Sequence, residues 1–259
     1  MTTSQSYKVP PFKVDINIYP PLENMRLKVV AKGKQPNQDL ELLRDVLSYF
    51  VSAANAGMFS SLPYKPEQAL MKIESIDENS KGELNCIWES RNINIGAYRI
   101  LLKMVTQSHH GHAPLSYFGM SSTGNVGGLT KLENVLDSPY PERASNLPFS
   151  IDLAGDLDSV TMPAIRLVFS RDLNTKEFQN IEELIADWHT IILLGGYSDS
   201  FEAIKELPMH PGKTYMASPC TIEHVLYDFN CPSEVYDALI NMAVKLHTAL
   251  SPLLRIEIE

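Results

Sequence analysis

Residues 98–115 read YRILLKMVTQSHHGHAPL, and residues 236–253 read YDALINMAVKLHTALSPL. The two stretches lie 138 residues apart, and in that register a tyrosine, a methionine, a histidine and the closing Pro-Leu pair coincide. Two further blocks align at the same spacing, residues 25–30 with 163–168 and residues 45–61 with 183–199. One register without gaps across three separated blocks predicts that the chain is a tandem duplication of one folding unit.

Hydrophobic periodicity predicts the same order of elements in both halves: two strands, a long helix, two strands, a second helix and a last strand. In residues 40–54 the large apolar side chains recur at three- and four-residue steps, as on one face of an amphipathic helix. The alternation in MKIESI (71–76) and LNCIWES (84–90) is typical of strands with one face in solvent. We therefore expect an α+β fold of two ββαββαβ units, each a mainly antiparallel sheet with two helices on one face.

The register divides the chain into a first repeat at residues 1–121, a linker at 122–149 and a second repeat at 150–259. The linker has no counterpart after the second repeat, and its glycines, prolines and polar residues are typical of a flexible connector. Within it, GNVGGLTK (124–131) lacks the spacing that a phosphate-binding loop requires. Strand order and the packing of the repeats against each other stay open.

The net charge of −9 is concentrated in the second half of the chain. Residues 1–138 contain 14 Lys and Arg against 13 Asp and Glu, whereas residues 139–259 contain 8 against 18, a net charge of −10. No basic stripe is present of the kind that binds a phosphate backbone, so we do not expect nucleic acid as a ligand. The acidic half would attract a basic protein partner, although the same acidity also serves solubility.

Composition and termini favour a cytoplasmic protein that does not contact membranes. The three cysteines show no C-x-x-C spacing and are too few for a secreted disulfide framework. The N-terminus has no apolar signal-peptide core, and the longest apolar stretches fall short of the roughly 20 residues that span a bilayer. No cofactor and no particular oligomeric state are indicated.

The stretch TQSHHGHAP (106–114) places three histidines in four positions and raises the question of a metal site. Only His109 recurs in the second repeat, as His247, and no cysteine or carboxylate accompanies the three histidines at ligand spacing. We therefore predict no metal site. Instead we expect a helix that ends near His109, with Gly111 in the left-handed conformation and Pro114 preventing continuation.

Two matched segments, AGMFSS (56–61) and GGYSDS (195–200), each follow a long predicted helix. Their glycines would end the helices, and the aromatic two residues later would supply the apolar contact of such a cap. The functional alternative is that these aromatics form an exposed binding lip beside acidic residues of the second half. The predicted partner-binding residues are Phe59, Tyr197, Asp156, Asp158, Asp199 and Glu202.

A second candidate site is a groove between the repeats. The matched residues His109, His247, Tyr98 and Tyr236 would converge there if the units faced each other across a pocket. The same tyrosines also fit the buried stripes of their helices. No G-x-S-x-G nucleophile elbow surrounds the matched serines, so the sequence does not favour an enzyme.

From these features we expect a non-enzymatic cytoplasmic protein-binding module with an acidic second half. A toxin-neutralising immunity protein or an adaptor chaperone would have such properties. The alternative is a small-molecule-binding protein, or an enzyme, with its site in the groove between the two repeats.

Overall fold

The computed structural model describes residues 9–19, 22–32, 36–60, 66–79, 81–111, 113–122, 128–153, 163–203, 212–227 and 232–259. The strands are β1 (Lys13–Asn17), β2 (Asn24–Ala31), β3 (Leu70–Glu78), β4 (Glu83–Arg91), β5 (Leu115–Ser122), β6 (Ser150–Leu153), β7 (Ala164–Phe169), β8 (Lys213–Ser218), β9 (Thr221–Val225) and β10 (Leu253–Ile258). The helices are α1 (Pro36–Asn55), α2 (Gly96–Gly111), α3 (Leu132–Leu136), α4 (Thr175–Leu193) and α5 (Glu234–Ala249), with a short 3-10 helix at Pro66–Gln68.

The strands form two five-stranded sheets with the same arrangement. Their orders are β1-β5-β2-β4-β3 and β6-β10-β7-β9-β8, so adding five to each label of the first sheet gives the second. In each sheet the pair formed by the first and last strands is parallel and the other pairs are antiparallel. The predicted α+β class with mainly antiparallel sheets is confirmed, and we call the part through β5 the first unit and the part from β6 the second unit.

The two sheets agree down to the position of an irregularity. In the first unit the β2–β5 pairing shifts register just before Ala31 meets Leu115. In the second unit the β7–β10 pairing shifts beside the pair Phe169 and Leu253. Both residues of the second pair lie 138 positions after those of the first, and we call two residues at this spacing counterparts. The similarity is consistent with a duplication.

Helices α1 and α4 end in the same hydrogen-bonded cap. In each, the amide of a glycine bonds to the carbonyl three residues earlier, and the next amide bonds to the carbonyl five residues earlier. The two glycines, Gly57 and Gly195, have φ angles of 85° and 73°. This left-handed conformation favours glycine because a Cβ atom would clash with the backbone. The helix ends predicted at these glycines are therefore confirmed.

The end of α2 differs from expectation. The helix runs through Gly111, and this glycine does not have a positive φ. After the helix, the amide of Ala113 bonds to the carbonyl of Ser108, five residues earlier, at 2.8 Å. The prediction of a left-handed Gly111 is wrong, because the wide last turn closes through this bond and needs no left-handed residue.

The sheets bury one face each. In β2 the burial alternates along the strand, with Met25, Leu27 and Val29 inside and their neighbours outside. The two tryptophans, Trp88 and Trp188, are the largest fully buried side chains of the described residues. The apolar stripe predicted for α1 is buried as well. Period-two strands and an amphipathic helix therefore meet in one apolar layer.

The segment between the units is packed where it is described, at residues 128–149. Thr130 exchanges two backbone hydrogen bonds with Ile18, and α3 buries Val135 completely. The guanidinium of Arg99 lies 4.7 Å from the ring centre of Tyr140. The described part of this segment therefore packs against the units, and its assignment as a flexible connector stays a prediction.

The cap glycines give a direct test of the fold. Gly57→Ala and Gly195→Ala should each lower the free energy of unfolding by about 1–2 kcal/mol, because alanine is strained at positive φ. The loss should be larger at Gly57, where a Cβ atom would lie 2.8 Å from the carbonyl oxygen of Pro66. Gly111→Ala is the matched control, since a Cβ atom there meets nothing within 4 Å. Urea unfolding measures all three, and an equal loss for the control would contradict the assignment.

Candidate functional site

The two units meet mainly through helices. Helix α1 packs against α4, and the hydroxyl of Ser52 donates a hydrogen bond to the Asp187 carboxylate across the junction. Gln107 and its counterpart Lys245 each form a further hydrogen bond between the units. Gln107 of α2 donates to the carbonyl of Glu202 at 2.8 Å, and Lys245 of α5 donates to the carbonyl of Ala69 at 3.3 Å. Each unit therefore holds the other in a similar way.

A groove with a volume of about 450 Å³ opens between α1, α4 and α5. Its walls contain apolar side chains from all three helices, including Ala56, Leu184 and Leu246. Polar side chains converge on the same space, and they are Ser52, Asn55, Asn180, Glu183, Asp187 and Lys245. An apolar groove of this size with a few converging polar groups is typical of a binding site.

Two carboxylates give the groove its charge. Burial raises the pKa of Asp187, the charge of Glu183 raises it further, and the hydrogen bond from Ser52 opposes the rise. Glu183 lies one turn away on α4 and is exposed. Within the described part of the chain neither carboxylate has a salt-bridge partner. The groove is therefore suited to a positively charged group.

The two other prominent polar groups of the groove are already engaged. The Asn55 side chain pairs with the backbone of Met71 through two hydrogen bonds of 2.8 Å, which fixes the end of α1 to β3. Burial lowers the pKa of Lys245, the carboxylate of Glu67 opposes this, and its ammonium donates to the Ala69 carbonyl. These two residues shape the groove, and the carboxylates remain available to a ligand.

The chemistry of the groove is specific to one side of the molecule. The counterpart of Asp187 is Tyr49, and the counterpart of Ala56 is Leu194. Larger and less polar residues thus occupy the equivalent positions on the other side of the α1–α4 contact. Sequence reasoning did not identify this site, although a carboxylate matched to a tyrosine in the 138-residue register was a detectable signal.

The structure buries the two aromatics that were predicted to form an exposed lip. Phe59 is 0% exposed and stacks on Phe50 with ring centres 5.1 Å apart. Tyr197 is 2% exposed and packs against Tyr140 at 5.0 Å. The expectation of exposure is therefore wrong, because the glycine caps turn the following aromatics back onto the core. The contact predicted for a helix cap describes them better.

The acidic members of the predicted partner-binding set have different outcomes. Asp199 and Glu202 are exposed on the segment that follows α4, beside the contact with Gln107. Asp156 and Asp158 lie outside the described residues. Partner binding by Asp199 and Glu202 stays a prediction.

His109 and His247 are counterparts in sequence and in contacts, but each acts within its own unit. The Nδ1 atom of His109 accepts the amide hydrogen of Leu115 at 2.8 Å, and that of His247 accepts the amide hydrogen of Leu253 at 3.0 Å. Each imidazole therefore ties a helix end to the first residue of the next strand. Burial lowers the pKa of His109, which favours the neutral form that accepts this bond.

Tyr98 and Tyr236 are buried and do not line the groove. The Tyr98 hydroxyl lies 3.3 Å from the hydroxyl of Ser90, and burial raises the pKa of Tyr98 to about 12. The predicted convergence of these tyrosines with the two histidines is therefore wrong. The helices present their tyrosines to the core of their own unit, as the alternative interpretation of the sequence held.

Among the residues that the structure describes, no group of three or more His, Cys, Asp or Glu could hold a metal ion. His112, the third histidine of the cluster, lies outside them, and His110 contacts the carbonyl oxygen of Phe201 at 2.9 Å. No helix in the described ranges is long and apolar enough to cross a membrane. Cys86 and Cys220 are free thiols, and burial raises the pKa of Cys86 to about 12.

No protein-family model matches this sequence, and no curated protein matches it significantly.

A buried lysine forms another charged contact between the units. Lys103 of α2 is 1% exposed, and its ammonium donates to the Tyr140 hydroxyl at 2.7 Å and to the carbonyl of Ser198. Burial and the nearby charge of Arg99 lower the pKa of Lys103 to about 7, and Asp199 opposes this. Its counterpart Asn241 also binds the connecting segment, through the backbone of residues 142 and 144.

Lys103 predicts an unusual pH dependence of stability. The unfolded chain keeps this lysine protonated up to its ordinary pKa of 10.5, whereas the folded chain releases the proton near pH 7. Unfolding therefore takes up a proton between these values, and the free energy of unfolding should rise with pH by up to about 1.4 kcal/mol per unit. Lys103→Met should abolish the rise. Urea unfolding between about pH 7 and pH 9 measures both proteins, and equal slopes would contradict the assignment.

Proposed function

We propose that this chain is a non-enzymatic binding protein whose ligand occupies the groove between α1, α4 and α5. The observation that supports this most directly is the pair of carboxylates, Glu183 and Asp187, which line an apolar groove and form no salt bridge within the described residues.

The partner that fits this chemistry is a basic amphipathic segment of another protein. Its apolar side chains would cover Ala56, Leu184 and Leu246, and its Lys or Arg side chains would pair with the two carboxylates. The net charge of −10 on residues 139–259 would attract such a partner at long range. A toxin-neutralising immunity protein or an adaptor chaperone in the cytoplasm would act in this way.

We also propose that the chain arose by tandem duplication. The supporting observations are the equal strand order of the two sheets, the identical caps of α1 and α4, and the matched bonds of His109 and His247. Duplication would join in one chain what two identical subunits do in a symmetric dimer. It would also free one side of the junction to become a binding site.

The partner proposal can be tested with a synthetic amphipathic peptide of about 15 residues with leucines on one face and lysines beside them. Glu183→Gln and Asp187→Asn should each weaken its binding about fivefold in calorimetric titrations, or about 1 kcal/mol. Asp45→Asn is the matched control, since Asp45 is the exposed counterpart of Glu183 outside the groove. Equal weakening by the control would show that net charge alone attracts the peptide and would contradict the groove as the site.

The volume of the groove favours a second candidate, a small molecule, because about 450 Å³ lies within the range of small-molecule sites. The ligand would carry an amine for the carboxylates and an apolar body for the walls. Ala56→Leu introduces the residue found at the counterpart position and narrows the groove without changing its charge. Saturation-transfer NMR with a set of organic amines should show signals for the wild type that weaken severalfold for Ala56→Leu. Unchanged signals in a folded variant would reject this candidate.

A further inference from the structure

The second unit buries two histidines next to each other, beneath its sheet. His189 of α4 is 5% exposed and His224 of β9 is 2% exposed. Their ring centres are 5.5 Å apart and the rings are nearly perpendicular, at 78°. The ring of Trp188 lies 6.3 Å from that of His224. Two imidazoles therefore share an apolar site that would be costly for a positive charge.

Both histidines contact the start of β8, which is an edge strand of its sheet. The amide of Gly212 donates to Nδ1 of His189 at 3.2 Å, and the Thr214 hydroxyl lies 2.9 Å from Nδ1 of His224. The backbone of Gly212 also packs directly on the second imidazole. A Cβ atom at Gly212 would lie 2.5 Å from Cε1 and Nε2 of His224, so no larger residue fits without movement.

The hydrogen bond from Gly212 depends on the protonation state of His189. A neutral imidazole offers one nitrogen as an acceptor, whereas a protonated imidazole offers only donors. Protonation of Nδ1 would thus place two N–H donors against each other. The Nε2 atom of His224 is buried and finds no hydrogen-bond partner among the described residues, so a proton there would not be stabilised by an acceptor.

We propose that His189 and His224 form an acid-released clasp, in which two neutral imidazoles hold the start of β8 against α4 and protonation of His189 releases it. The site has the geometry of a pH-sensitive contact: two buried bases, one backbone amide that needs an unprotonated acceptor, and a glycine without room to move inward.

No charged group of the described elements faces the pair in a way that would stabilise protonation. The titratable groups of the neighbouring strands alternate in sequence with the residues that face the histidines, so they lie on the opposite face of the sheet. These groups are Lys213, Tyr215, Glu223 and Arg166. Glu223 contacts both Tyr215 and Arg166 on that opposite face of the sheet. On α4, Asp187 bonds to Ser52 at the junction between the units.

Burial therefore controls the titration of both histidines. It lowers the pKa of His189, and it lowers the pKa of His224 to about 4 together with the neighbouring charge of His189. The unfolded chain binds these protons at the ordinary histidine pKa of 6.5, so stability is present above that value and is lost as the pH falls toward 4.

The first unit supplies an internal control, because its counterparts of His189 and His224 are Val51 and Cys86. Neither of these residues takes up a proton in the acidic range. The clasp therefore belongs to the second unit alone, and β3, which occupies the place of β8 in the first sheet, should not respond to mild acid in the same way.

Hydrogen exchange of the full chain, corrected for intrinsic rates, tests the clasp. Between about pH 6.5 and pH 4.5 the protection of the amides in Gly212–Ser218 should fall at least about tenfold, and that of β3 should fall far less. His189→Val with His224→Cys, the residues of the first unit, should remove the pH dependence at β8. An equal fall at β3 and β8 would overturn the proposal.

A titration of the wild-type imidazoles by nitrogen NMR keeps the test valid if the double variant does not fold. Both histidines should remain neutral well below pH 6.5, and the signal of the Gly212 amide should change together with their protonation. Histidines that titrate with the ordinary pKa while Gly212 is unaffected would overturn the proposal.

Discussion

The packing of α1 against α4 determines how the rest of the molecule is arranged. Each sheet covers one face with helices, and these helices then meet those of the other unit, so the junction is an extension of the core. The junction between the units is close enough to restrict residue type where α2 also approaches the end of α4. A Cβ atom at Gly196, just after α4, would lie 2.7 Å from the side chain of Ile100 on α2. The groove lies beside this contact, where α5 approaches the pair formed by Ser52 and Asp187.

The two units share a backbone plan and differ in the chemistry placed on it. Equivalent imidazoles, His109 and His247, hold equivalent strands, which shows that these histidines serve structure. Differences at counterpart positions are therefore more informative about function than the matches are. Tyr49 is the counterpart of Asp187, and Cys86 is the counterpart of His224. Asp187 lines the groove, and His224 belongs to the histidine pair. At both positions the residue of the second unit has a lower ordinary pKa than its counterpart in the first unit.

Local sequence patterns predicted the elements of the fold well. The order of strands and helices and the glycine-capped ends of α1 and α4 follow from periodicity and from the conformational range of glycine. Exposure of Phe59 and Tyr197 was predicted wrongly, since the direction of a side chain after a cap depends on the core that receives it. The groove was not found because its residues come from three helices of two units, and only their packing brings Ser52, Asp187 and Lys245 together.

A double-mutant cycle across the junction tests this account most directly. Ser52 and Asp187 are far apart in sequence and belong to different units, so only the α1–α4 packing can couple them. Urea unfolding of the wild type, Ser52→Ala, Asp187→Ala and the double variant should give a coupling energy of about 1 kcal/mol. Additive losses of stability, with no coupling between the two positions, would contradict the packing of the units and the groove that depends on it.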